Sequence, residues 1–210
     1  MTRISALERR SALVHAALQV VADRGVAQAT TRAIVAQAGM SLASFHYAFA
    51  SRDELMTELI QTVVADEARA VFADDTGHTG TPGRPDEPGQ PDLRQILRDG
   101  LQAYADHLRA DPLREKAMLE LTQYALRAPE MHHLAREQYE RYHALAGQAL
   151  DSAARRSGST WLRPVDDVAR LLVALTDGLT IAWLVDGDDT ATASLLDIAA
   201  DTLAALGGRS

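Results

Sequence analysis

The chain of 210 residues predicts an all-α protein, with a small three-helix head at the amino end and a larger helical body behind it. Three observations carry that prediction. Apolar residues recur at three- and four-residue spacing along most of the chain, and strand-like alternation is absent. Ser, Thr and Asp stand just ahead of those stripes, where a side-chain oxygen can accept from the orphan amides of a new helix. Gly25, Gly39 and Gly158 stand where stripes end.

The first helix starts at a capping box, Ser5-Ala6-Leu7-Glu8, in which the Ser and Glu side chains each satisfy the other's backbone amide. Its apolar stripe is Leu13, Ala16, Ala17, Val20 and Val21, and it ends at Arg24-Gly25. Arg9 and Arg10 lie in its first turn, the wrong end for the helix dipole. Thr30 can cap a second, short helix from Thr31 to Ala38, which carries Ile34 and Val35. Gly39 supplies the turn, and Ser41 can cap a third short helix, Leu42 to Tyr47. Two short helices joined by a glycine turn form the helix-turn-helix pattern, whose second helix enters the DNA major groove. Phe45 and Phe49, four apart, can anchor that helix. Ser51-Arg52-Asp53-Glu54 is a further capping box, opening a fourth helix at Leu55 and Met56. Arg52 also opposes the dipole, which a phosphate nearby would explain.

The fourth helix continues through Leu59, Ile60, Val63, Val64, Ala68 and Val71. Asp74 to Pro91 then carries four Gly, four Pro and no large apolar residue, and reads as a mobile loop. Asp92, with Gln95 in the capping-box position, restarts helix with Leu93, Ile96, Leu97, Leu101, Tyr104 and Leu108 on one stripe. Asp111-Pro112 opens the next helix, expected to bury Leu113, Ala117, Leu121 and Tyr124. After Ala128-Pro129, another helix carries Met131, Leu134, Ala135, Tyr139, Tyr142, Leu145, Ala149 and Leu150, and stops at Ser157-Gly158. Pro164 to Val185 is apolar around much of its circumference, so it needs neighbours on several sides. Asp189 or Thr190 is expected to cap the last helix, with Leu195, Leu196, Ile198, Ala199, Leu203 and Leu206. The last two helices can form a four-helix bundle with a second copy of the chain.

Hydrophobic residues make up 47% and charged residues 24%, ordinary values for a soluble globular protein. No apolar run reads as long enough to cross a bilayer, and no signal peptide precedes Ser5, so a cytoplasmic protein without a membrane partner is expected. Cysteine is absent, which removes disulfides and thiolate chemistry. The net charge of −8 argues on its face against nucleic acid. Its distribution differs: residues 1–60 carry six Arg against five acids, so the acidity lies in the body. A near-neutral head can bind DNA if its Arg residues share a face, with a moderate salt dependence.

Residues 8–60 resemble the DNA-binding domain of the TetR family of bacterial repressors. The resemblance rests on Gly25, Thr30, the turn Ala38-Gly39-Met40-Ser41, the helix Leu42 to Tyr47, Phe49, and the cap Ser51-Arg52-Asp53-Glu54-Leu55. The chain departs from the family pattern at Ala43 (usually Gly), His46 (usually a phosphate-contacting Tyr), Ala48 (commonly His) and Arg52 (usually Lys). The resemblance implies a helix-turn-helix DNA-binding domain over residues 1–55, and a helical ligand-binding and dimerisation domain over 56–210 with loop 74–91. Ser44 and Tyr47 would hydrogen-bond to base edges, with Leu42 or Ala43 against a thymine methyl. Thr31, Arg32, His46, Ser51 and Arg52 would hold phosphates, and Ser41 would stand at the start of the reading helix.

Catalytic patterns are missing from the sequence: there is no glycine-rich phosphate loop and no HExxH. The adjacent His132 and His133 point about 100° apart on a helix, so neither a metal nor another cofactor is expected. The resemblance also implies a small-molecule pocket in the body. Tyr104, His107, Met118, Tyr124, Tyr139, Tyr142, His143, Thr176 and Trp183 are its candidate lining, a mixture suited to a largely apolar ligand with one or two polar groups. The reading is therefore a homodimeric repressor released from a palindromic operator by such an effector. The competing class is an all-α enzyme or small-molecule carrier bundle without DNA binding.

Overall fold

The computed structural model describes residues 5–75 and 92–209. The arm Met1 to Ile4 and the loop expected at 74–91, from residue 76 on, lie outside the described residues. The helices are α1 (Ala6–Arg24), α2 (Thr31–Gln37), α3 (Leu42–Ala48), α4 (Arg52–Asp75), α5 (Leu93–Ala110), α6 (Pro112–Arg127), α7 (His132–Ser157), α8 (Val165–Asp186) and α9 (Asp189–Ala204). The all-α expectation holds, with one addition. Ser159–Trp161 (β1) and Gly207–Arg209 (β2) pair antiparallel, and at three residues each they are too short for alternation to show.

The chain falls into two compact units, grouped differently from a single cut at residue 55. The first comprises Met1–Arg69 and Leu113–Gln138. Its buried core joins Leu13, Ala17 and Val21 of α1, Ile34 of α2, Phe45 of α3, and Leu55, Met56 and Leu59 of α4. Ala117, Met118, Leu121 and Ala125 of α6, and Met131, Leu134 and Ala135 around the start of α7, complete it. The head thus shares a core with α6. Leu113, expected inside, is 48% exposed.

The second unit comprises Ala70–Pro112 and Tyr139–Ser210. It buries Leu93, Ile96, Leu97, Leu101 and Leu108 of α5 against Leu150 of α7, Val168 and Leu179 of α8, and Leu196, Ala200 and Leu203 of α9. Arginines of α5 meet aspartates of α9 along the surface: Arg94 with Asp201, Arg98 with Asp197 at 2.8 Å, and Arg109 with Asp189 at 2.7 Å. Exposed pairs of this kind align the helices and add little stability each. α8 is long and apolar enough to cross a membrane by length and composition alone, which corrects the expectation that no run is. Here it packs on α5 and α9.

The local caps show where sequence spacing suffices. Ser5 and Glu8 form their reciprocal box at 2.8 and 3.1 Å. Ser51 accepts from the Glu54 amide at 3.1 Å, but Glu54 reaches one residue further back, to the Ala50 amide at 2.8 Å. Asp92 makes no side-chain cap, and the Gln95 side chain donates to Asp99 one turn on. α9 is capped by Asp188, whose carboxylate accepts from Thr190 and Ala191, rather than by Asp189 or Thr190. Asp189 is held by Arg109 and by the Trp183 indole N–H.

Gly25, at φ +83° and ψ 161°, occupies backbone space that is essentially closed to residues with a Cβ. An added Cβ would also stand 3.0 Å from the Glu120 carboxylate, which accepts the Val26 amide at 2.6 Å. Gly25→Ala is expected to destabilise the first unit by about 1–3 kcal/mol, a loss that thermal melting would register; an unchanged melting temperature contradicts it.

Candidate nucleic-acid interface and the polar cluster of the body

The α2–α3 segment is built from its ends inward. Thr30 accepts from the Ala33 amide at 3.2 Å, opening α2. At its other end Gly39 has φ +63°, the Met40 amide donates to the Val35 carbonyl at 2.8 Å, and the Gly39 amide donates to Ala36 at 3.2 Å. This is the paired-bond Schellman ending, which a glycine just past the helix allows. Two residues later Ser41 accepts from the Ser44 amide at 3.2 Å and starts α3. The direction of α3 is thus set by two caps and one left-handed residue.

Packing then sets its rotation. Phe45 and Phe49 are each 1% exposed, with ring centroids 5.7 Å apart. With Phe45 inward, the helix period turns residues 42, 43, 46 and 47 outward. Leu42 is 43% exposed and Tyr47 72%, and Ala43 and His46 are exposed beside them. Ser44 is half-buried, its hydroxyl 3.0 Å from that of Ser41. Around this ridge, Ser41, Arg32 and Ser51 are exposed and Thr31 is half-buried. The Arg9 guanidinium lies 5.0 Å over the Tyr47 ring, adding a cation to the ridge from the first turn of α1. Arg9 was visible in the sequence as a cation at the wrong end of a helix; its partner, 38 residues away, was not.

Arg52 has partners within the protein. Its guanidinium is half-buried and already engaged: Nε donates to the Ala29 carbonyl at 2.8 Å, Nη2 to the Val26 carbonyl at 2.8 Å, and Nη1 to the Tyr124 hydroxyl at 3.0 Å. These acceptors suffice to explain an arginine at the start of α4. Tyr124 in turn donates to Asp53 Oδ1 at 3.0 Å. Burial is the main cause that raises the Tyr124 hydroxyl above the ordinary tyrosine range. Tyr124 therefore ties α6 to the α1–α2 connection and to α4. Met118 is a core residue of the same unit, 6% exposed. Both were expected to line a pocket in the body, and both belong to the unit that holds the head. Arg10, the other wrong-end cation, is likewise internal. It reaches the Ala48 carbonyl, Glu54 and Glu58, and lies 4.1 Å over the Phe49 ring.

In the second unit the candidate residues separate. His107 is exposed on α5. Trp183 donates to Asp189 at 3.0 Å, and the Thr176 hydroxyl bonds back to Val173 within its own helix. Tyr104 meets Thr180 at 2.5 Å. Tyr139, Tyr142 and His143 do gather: the Tyr139 ring stands edge-on to Tyr142 at 5.6 Å and to His143 at 6.1 Å. Beside Tyr139 is a residue that the sequence reading passed over. The Tyr139 hydroxyl donates to Asp177 Oδ2 at 2.8 Å. Burial raises the Asp177 carboxyl above the usual aspartate range and, with Asp177 beside it, pushes the Tyr139 hydroxyl up to about 12. The phenol therefore keeps its proton and stays the donor. Burial and the Arg170 charge hold His143 below the ordinary histidine range. The signal for Asp177 was present: it is the sole charged residue between Arg170 and Asp186.

The family model described as bacterial regulatory proteins, tetR family, matches residues 13–59, which contain α2 and α3. The model described as BetI-type transcriptional repressor, C-terminal, matches residues 91–208. The HTH-type nicotine-responsive transcriptional repressor HdnoR of Paenarthrobacter nicotinovorans is 30% identical over 199 residues, 93% of each chain. Among solved structures, the multidrug binding protein EbrR complexed with ethidium aligns with a TM-score of 0.66 at 26% identity, over 93% of this chain and 98% of that one. A transcriptional regulator from Pseudomonas aeruginosa PAO1 shares the fold with a TM-score of 0.71 at 21% identity, over 97% of this chain and 93% of that one.

Proposed function

The chain belongs to the TetR family of bacterial regulatory proteins, and on that premise we propose that it is a homodimeric repressor that reads a palindromic operator with α3 and is released by a small, largely apolar effector held in its second unit. The model matched by residues 91–208 is that of a transcriptional repressor, and HdnoR is named a nicotine-responsive one. The observation that carries the finer reading is the ridge of α3: capped at Ser41, anchored by Phe45 and Phe49, and exposed at Leu42, Ala43, His46 and Tyr47. A short helix fixed on one side and bare on the other fits the width of a major groove. Tyr47, with Ser44 behind it, is assigned to base edges, and Thr31, Arg32, His46 and Ser51 to phosphates.

Support for the dimer comes from the last two helices. Ile181 and Val185 of α8 are 51% and 81% exposed, and Leu195 and Ile198 of α9 are 42% and 58% exposed. Such apolar faces gain by meeting their own two-fold copies. Two heads related in that way would address grooves about 34–36 Å apart, and an effector that favours another spacing would release the DNA. Nicotine, named for one relative, and ethidium, bound by another, support an effector of that size and character. A cytoplasmic location without a membrane partner belongs to the same proposal.

The test is fluorescence anisotropy on the DNA upstream of its own gene and on a scrambled duplex, at two salt concentrations. Tyr47→Ala is expected to lose about 1–3 kcal/mol of preference for the upstream DNA. Arg32→Ala is expected to weaken binding to both duplexes alike and to reduce the salt slope by about one. Equal losses for both variants on every duplex would overturn the assignment.

A further inference from the structure

Asp177 is the least explained charge in the second unit. It interrupts the run from Leu171 to Val185, which otherwise holds no charged side chain. It is half-buried in α8, faces α7, and accepts one hydrogen bond, from Tyr139 through Oδ2. A carboxylate has about four acceptor positions, and the protein supplies a donor to one of them. Among the described residues no lysine or arginine pairs with it; the charge it meets is His143. His143 is itself held toward its neutral form by burial and by Arg170. Removing a carboxylate from water without a counter-ion is unfavourable, and a leucine would fill an apolar helix without that cost.

The surroundings indicate what would match the charge. The Tyr139 ring stands roughly edge to face with Tyr142 at 5.6 Å and with His143 at 6.1 Å. A carboxylate at the edge of an aromatic cluster forms an environment for an organic cation, attracted by the anion and by the ring quadrupoles. A hard metal ion is a poor fit, because calcium and magnesium need six or more oxygens and this site offers a carboxylate and a phenol.

We propose that Asp177, bonded by Tyr139 at the edge of the aromatic cluster that Tyr139 forms with Tyr142 and His143, receives the protonated or quaternary nitrogen of an amine effector. This deepens the repressor reading and rests on it: the effector is a small apolar body carrying a positive nitrogen. The Tyr139–Asp177 bond then has two roles. It holds the carboxylate in place, and it competes with the arriving cation for the same oxygen.

The experiment compares benzylamine, a cation at pH 7.5, with benzyl alcohol, a neutral molecule of nearly the same size. Titration calorimetry is run on the full chain and on two variants whose folding is checked by thermal melting. The wild type is expected to bind the amine about tenfold or more tightly than the alcohol, as a desolvated charge contact requires. Asp177→Asn keeps an acceptor for Tyr139 and removes the charge, and it should lose that preference. Tyr139→Phe keeps the charge and the ring but removes the competing donor, so amine affinity should rise while alcohol affinity does not. A wild type without preference overturns the proposal, as does D177N with the preference intact. If D177N does not fold, Y139F decides, and unchanged amine affinity places the cation elsewhere. The two readings fail separately. Amine preference in a protein indifferent to its upstream DNA sinks the repressor and leaves the site; DNA recognition without amine preference does the reverse.

Discussion

Arg52→Ala is expected to destabilise the first unit by about 2–3 kcal/mol, the scale of several charge-assisted hydrogen bonds discounted for partial exposure, and to lower its melting temperature by roughly 10 °C. The substitution removes donors from the Val26 carbonyl and from the carbonyl of Ala29, a fully buried residue, and strands the Tyr124 hydroxyl that bridges to Asp53. Val26 keeps one backbone donor, from the Ala29 amide, so the Ala29 carbonyl bears the larger share. Arg52→Lys separates this account from a phosphate contact. Lysine retains the charge, but a single ammonium on a flexible stem cannot span three acceptors in the geometry of a guanidinium fork. The clamp therefore predicts that R52K melts close to R52A, and that neither variant changes the salt slope of DNA binding. A stable R52K whose DNA affinity exceeds that of R52A, with R52A alone lowering the salt slope, would return Arg52 to the backbone of the operator.

Phe45→Ala carries the largest expected loss, about 3–5 kcal/mol, from lost transfer energy and the cavity left between α1, α3 and α4. Phe45 is 1% exposed and touches Phe49 in the same core. A domain of ordinary stability has about 5–15 kcal/mol in total, so the loss takes a large share of it, and the urea midpoint of the head should fall well below that of the wild type. Tyr47→Ala is the control: at 72% exposure it has little packing to lose, and its melting temperature should match the wild type while its DNA preference does not. Urea denaturation of both variants, followed by circular dichroism, is the check. A native-like midpoint for F45A would remove the anchoring role given to that ring.

What the sequence made legible was local. Ser5, Thr30 and Ser41 cap within three residues, and Gly39 ends a helix one residue past it, so spacing alone placed the head. Distance in sequence hid the rest. Tyr124 lies 72 residues from Arg52 in the chain, and without that contact the arginine looked like a ligand for DNA. The same α6 face carried Met118 into the head core, whereas composition alone made both residues plausible pocket lining. Gln95 turns its side-chain amide forward to Asp99, one turn ahead, and Arg109 and Trp183 claim Asp189 while Asp188 caps the last helix. Asp177 stood in plain view as an isolated charge; its meaning required the tyrosine from α7.

Hydroxyl-radical footprinting on the DNA upstream of the gene tests most directly whether a pair of α3 ridges reads this duplex. The account predicts two protected patches related by a dyad, with centres about 10–10.5 base pairs or a multiple of that apart, lost together in Tyr47→Ala. A single unpaired patch, or uniform protection that ignores sequence and survives Tyr47→Ala, would contradict it.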